Sequence, residues 1–121
     1  MLESLKETLM KIADENGLSI CAVVSKNGIP IAWHGLDDGS KETFATLTAT
    51  VLGATEVVYS SLGMESDSLI VNSVSAENNI AMMEINRKSM IVLLGKKDTT
   101  ELNEIAAEAA GRVKEVFENE R

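Results

Sequence analysis

Few residues in this sequence combine the type and spacing that chemistry requires. His34 is the only histidine and follows Trp33 near the end of a β-favouring run. A general base needs an orienting partner and a metal needs several ligands, and no second histidine or thiolate cluster is present to supply them. His34 therefore reads as a surface or internally satisfied residue. Cys21 is the only cysteine and sits within an apolar run, where a thiol is buried and inert. The stretch Gly95-Lys96-Lys97-Asp98-Thr99 carries the lysine and threonine of a phosphate loop without its upstream glycine, and there is no dinucleotide fingerprint. Asp37 and Asp38 could hold a cation or move a proton, but between glycines they keep a turn solvated. The expectation is a chain with no catalytic residue, no cofactor and no metal.

Charge narrows the partners. Eleven basic residues against nineteen acidic ones leave a net charge of −8, which repels nucleic-acid phosphates and anionic headgroups. The close basic clusters, Arg87-Lys88 and Lys96-Lys97, are too short to track a phosphate backbone. No nucleic acid and no membrane insertion are expected, because the longest apolar runs, such as residues 90–94, fall far short of a membrane span. One cysteine excludes an internal disulfide framework, and the first residues begin an amphipathic pattern in place of a signal peptide's apolar core, so the expected location is cytoplasmic. At 121 residues the chain is expected to form a single domain over 1–121.

The elements that would position these residues follow from periodicity and turn chemistry. Leu2, Leu5, Leu9 and Ile12 recur at helical spacing from 2 to 16, and Gly17 stands where a left-handed cap ends such a helix. Residues 18–25 and 29–34 read as strands joined by Lys26-Asn27-Gly28, with Pro30 marking the second as an edge. A long helix over 40–62 contains only Lys41, Glu42 and Glu56 as charges. Three strands over 68–75, 80–85 and 89–94 are joined by short turns and must form an antiparallel meander. Asp98 and Glu101 open a last helix whose stripe runs through Leu102, Ile105, Ala106, Ala109, Val113, Val116 and Phe117. The expected fold class is α+β: a five-stranded antiparallel sheet in the order α-β-β-α-β-β-β-α. The central helix would cover one face and the two terminal helices the other.

The central helix has two uncharged faces. Phe44, Leu47, Val51, Leu52, Val58, Tyr59 and Leu62 form a bulky stripe expected to bury against the sheet. Ala45, Thr46, Ala49, Thr50, Gly53, Val57 and Ser60 form a small-residue face that lacks the lysines and glutamates of a solvated helix. A mid-helix glycine costs about 0.5–1 kcal/mol, which close approach of a second helix would explain. The eight residues 68–75 carry no charge, and such an edge invites pairing with another chain. Both features point to a homodimer with Ala45, Ala49, Gly53, Ser60, Leu69, Val71 and Ser73 at its interface.

The element order, the hairpin from Val23 through Asn27-Gly28 to Ile29-Pro30-Ile31-Ala32, and the small-residue central helix together resemble the roadblock/dynein light chain family, in its stand-alone prokaryotic form. The resemblance covers nearly the whole chain. It implies dimers in which central helices pack together and the following strand pairs across the two-fold. It also implies a non-enzymatic scaffold or regulator that binds a small Ras-like GTPase. Dimerisation can use only part of the sparsely charged helix face, so Thr46, Ala49, Thr50 and Glu56 on the central helices are the expected contacts. Arg87, Arg112 and Arg121 lie in a turn, a terminal helix and the chain end, so no arginine finger is evident and any effect on hydrolysis would position the GTPase's own groups. A profilin-like or PAS-like small-ligand sensor shares this kind of sheet and is the alternative.

Overall fold

Turn and cap chemistry divides the chain into eight elements. The structure, a computed structural model, describes residues 1–120; Arg121 lies outside the described residues. Helix α1 (Leu2–Asn16) stops at Gly17, whose φ of +63° lets its neighbour Leu18 donate to the Ala13 carbonyl. Strands β1 (Ile20–Ser25) and β2 (Pro30–His34) follow, joined by a loop in which the Gly28 amide donates to the Ser25 carbonyl at 2.9 Å. Gly28 has φ +87°, the left-handed residue that completes such a loop. Helix α2 (Lys41–Ser61), the meander β3 (Ile70–Val74), β4 (Asn79–Glu84) and β5 (Ser89–Gly95), and helix α3 (Thr99–Asn119) complete the order. Asp98 caps α3 by accepting the Glu101 amide at 2.9 Å. Ser68, at φ +58°, is left-handed, so the edge strand starts at Ile70 and not at 68.

The five strands form one antiparallel sheet in the order β2-β1-β5-β4-β3. The chain's α+β order is therefore the expected one, and both Pro30 and the uncharged strand lie at edges. On β1 and β5, alternate residues supply the two faces. Cys21, Val23, Ile91 and Leu93 pack with Leu5, Leu9, Ile12, Leu102, Ala106 and Val113 of α1 and α3. Ala22, Val24, Met90 and Val92 pack with Ala45, Ala49 and Leu52 of α2.

The structure corrects the orientation of α2. Of the bulky stripe expected against the sheet, only Leu52 is buried and Phe44 half-buried; Leu47, Val51, Val58, Tyr59 and Leu62 are exposed. The buried face is Ala45, Thr48, Ala49 and Leu52. Ala45 and Ala49, expected at the dimer interface, and Ala49 again as a GTPase contact, are thus enclosed within their own protomer. Leu69 is likewise buried. The reason is steric: methyl side chains let the helix settle close to the sheet, while larger ones at the same positions would hold it off.

This orientation makes two opposite stability predictions, both read by denaturant unfolding. Ala45→Leu forces extra methyl groups into a filled layer and should lower stability by about 1–3 kcal/mol. At Gly53 an added methyl would meet nothing within 4 Å, so Gly53→Ala should raise it by about 0.5–1 kcal/mol.

Candidate interaction surface

Helix α2 stands off centre on its face of the sheet. Its backbone comes closest to β1 and β2, and the Lys41 ammonium lies 4.7 Å from the Trp33 ring centre, tying its first turn to β2. Over β4 and β3 the cover is partial: Met82 is buried, Val71 and Ile80 are half-buried and Ser73 is exposed. There an apolar groove of about 340 Å³ runs between Leu47 and Val51 on the helix and Val71, Ser73, Ile80 and Met82 on the strands. Past Leu52 no residue of α2 is buried.

The outward side of α2 is an apolar ridge. Leu47, Val51, Ala54, Val58 and Leu62 follow one another at intervals of three and four, the spacing of a helix–helix seam. Leu47 is 59 % exposed, Val58 56 % and Leu62 64 %. The hydroxyls beside this ridge are already satisfied. Thr50 donates to the Thr46 carbonyl at 2.7 Å, Thr55 to Val51 at 2.8 Å and Ser61 to Val58 at 2.8 Å. Such internal bonding leaves methyl groups outward and no stranded donor if water is excluded. At the free margin of the sheet, Val74 of β3 is 70 % exposed, and no described strand pairs with that edge.

A second anchor holds the outer half of the helix. Lys26, just past β1, donates to Glu84 at 2.7 Å and to Glu56 of α2 at 3.4 Å. Burial alone would lower the Lys26 pKa, but the hydrogen bonds and charges of Glu84 and Glu56 outweigh it and raise it above its ordinary 10.5. Glu56, expected to touch a GTPase, is therefore already engaged within the protomer.

The expected site residues separate into groups. Thr46, next to Gly28, and Thr50 one turn on are exposed on the flank of α2 away from the groove. Gly53 and Ser60 lie on that same flank by helical spacing, half-buried and exposed respectively. Val71 and Ser73 line the groove, facing Leu47 and Val51. Sequence reasoning missed the ridge itself as a surface, although its spacing was readable. The candidates for chemistry are not assembled. Burial pushes the Cys21 thiol up to about 12, only partly offset by Arg112. Asp37 is used locally, its carboxylate accepting the Ser40 amide at 2.8 Å at the entrance to α2. Among the described residues no group of three or more histidine, cysteine or acidic side chains is placed to hold a metal. Among the described residues no helix is long and apolar enough to cross a membrane.

A sequence model of the Roadblock/LC7 domain matches residues 5–95. No curated protein sequence matches the chain. Among solved structures, the chain is similar to Myxococcus xanthus MglB, with a TM-score of 0.85 and 15% identity over 98% of this chain and 90% of that one. It is similar to the gliding protein MglB from Thermus thermophilus, with a TM-score of 0.82 and 18% identity over 98% and 91%. A looser likeness extends to Acanthamoeba castellanii profilin II, with a TM-score of 0.63 and 9% identity over 93% and 96%. At such identities these likenesses describe the fold.

The caged lysine supplies a pH-dependent prediction. Because its folded pKa is raised, its contribution is complete below the unfolded lysine value and disappears as pH rises through the folded one. Lys26→Gln should lower stability by about 1–2 kcal/mol at neutral pH. The gap from the unsubstituted protein, followed by urea unfolding against pH, should close above 10.5.

Proposed function

The chain belongs to the Roadblock/LC7 domain family, and on that premise we propose that it is a non-enzymatic, dimeric scaffold or regulator of a small Ras-like GTPase in the cytoplasm. The observation that carries the dimer is the apolar ridge of α2 beside a half-covered sheet. A second copy related by a two-fold axis lays its own ridge against Leu47, Val51, Val58 and Leu62, covers Val71 and Ser73, and pairs its β3 with the free β3 edge. Leu69 is then a support beneath the interface and not a contact, since it is already buried. Gly53 and Ser60, on the flank of Thr46 and Thr50, lie outside this seam.

The GTPase reading draws on the family resemblance for the partner and on the flank of α2 for the place. Thr46 and Thr50 face away from the groove, so a dimer formed through the ridge leaves them open, and two copies make a broader platform than one. Glu56 contributes through its hold on Lys26, which sets the pose of the helix. Arg112 is engaged with Glu15 at 2.9 Å on the far side of the sheet, consistent with a regulator that orients the GTPase's own groups. A ligand-sensing role would use an enclosed cavity, whereas the groove beside α2 is open.

Two variants separate the parts of this proposal. Val51→Asp combined with Val58→Asp places charge on the ridge without touching the protomer core, and sedimentation at micromolar concentration should show one chain mass in place of two. Thr46→Arg combined with Thr50→Arg should retain twice the chain mass but lose recovery of a Ras-like GTPase from native cytosol. A ridge variant that still sediments as a dimer removes the proposed seam. A flank variant that recovers the GTPase undiminished moves the partner elsewhere.

A further inference from the structure

At one end of the sheet, the β1–β2 hairpin, the β4–β5 turn and the C-terminal end of α3 line an open cleft of about 630 Å³. Its apolar floor is Ile29, Ile31 and Phe117; Ile29 is 61 % exposed, and the other two pack against the core beneath α1 and α3. Its rim carries Arg87 and Lys88, both exposed. Neither makes an ion pair with a described residue. In the other adjacent basic pair, Lys97 is occupied by Glu101 at 3.5 Å. The turn that presents Arg87 and Lys88 is held firmly: the Asn86 carboxamide oxygen accepts the Lys88 and Ser89 amides at 2.8 and 2.9 Å. Lys26 lends only its stem, since its ammonium is spent on Glu84 and Glu56.

No carboxylate lines the cleft, although acids outnumber bases nineteen to eleven in the chain. A surface shaped only for solubility would not set two unpaired cations over exposed Ile29 and half-buried Ile31 and Phe117. We propose that this cleft is a docking site for an acidic peptide segment of a protein partner, with an apolar anchor side chain seated on Ile29, Ile31 and Phe117 and flanking carboxylates on Arg87 and Lys88. The cation pair over an apolar floor complements that composition, and the open shape admits an extended segment where a small ligand would find no enclosure. The site reaches β2, at the opposite edge of the sheet from β3, so a dimer formed through β3 leaves it accessible, while Ile29 at its margin also borders the flank of α2 that carries Thr46.

The test uses the full chain and needs neither the dimer nor a GTPase as readout. The probe is a fluorescein-labelled peptide of glutamates flanking a central leucine–phenylalanine pair, followed by anisotropy. The unsubstituted chain should bind it at least tenfold more tightly, about 1.4 kcal/mol, than an otherwise identical peptide with glutamine in place of glutamate. Arg87→Gln with Lys88→Gln, which alters only exposed turn side chains, should lose at least tenfold, and Ile29→Ser should weaken binding as well. No binding by the unsubstituted chain, equal binding by the Arg87→Gln/Lys88→Gln variant, or equal binding of the glutamine peptide would each overturn the proposal. Capture of the chain by phosphatidylserine vesicles in preference to the peptide would overturn it too, assigning the cations to a lipid surface.

Discussion

One α-helix is too narrow to cover one face of a five-stranded sheet. Strands about 4.8 Å apart make a surface roughly 24 Å wide, and a helix with its side chains is about 10–12 Å across. Helices α1 and α3 lie side by side and close one face, burying Leu5, Leu9, Leu102 and Val113 among them. On the other face α2 works alone. Placed near β1 and β2, it leaves Val71, Ile80 and Met82 at the floor of an open groove. The exposed ridge and the groove follow from that shortage of cover, and beside them β3 is the terminal strand of the sheet.

What holds α2 off centre is a division of labour along its length. Ala45 and Ala49 allow close approach to Ala22 and Val24 in the first half. Past Leu52 nothing is buried, and position is kept by the Lys26 ammonium shared between Glu56 and Glu84. Side-chain packing and a partly buried charge cluster thus fix the pose that presents Leu47, Val51 and Val58 outward. The amide pair between Asn72 of β3 and Asn103 of α3, bonded in both directions at 2.8 and 3.0 Å, does the same for the edge strand. A polar contact of that kind resists slippage in a strand otherwise supported on one side only.

Much of the fold was legible in the sequence because its signals are local. Gly17, Asn27-Gly28 and Asp98 mark ends and turns through backbone conformations that few residues supply, and Pro30 identifies an edge by lacking an amide. The orientation of α2 was not legible in the same way. Both of its faces are uncharged, and the rule that large apolar residues point inward assumes that nothing outside the protomer will cover them. Here the small residues go inward and the large ones remain outside, which is the reverse of the expectation at Ala45 and Ala49. The Lys26 cluster joins residues 30 and 58 positions apart, and the cleft under Arg87 unites a hairpin, a turn and a terminal helix. No sequence spacing predicts such meetings, whereas the lack of charge on the strand that carries Val71 and Ser73 is visible residue by residue.

The central claim is that the uncovered half of the α2 face is completed by a second copy of the chain, with β3 paired to β3. Amide hydrogen exchange of residues 70–74, measured at a series of protein concentrations, addresses it most directly, because an unpaired edge cannot protect its outward amides. The account predicts slow exchange in concentrated samples that accelerates on dilution, together with residues 47–62 of α2. Rapid exchange of the outward β3 amides at every concentration, with a stably folded protomer, would contradict it.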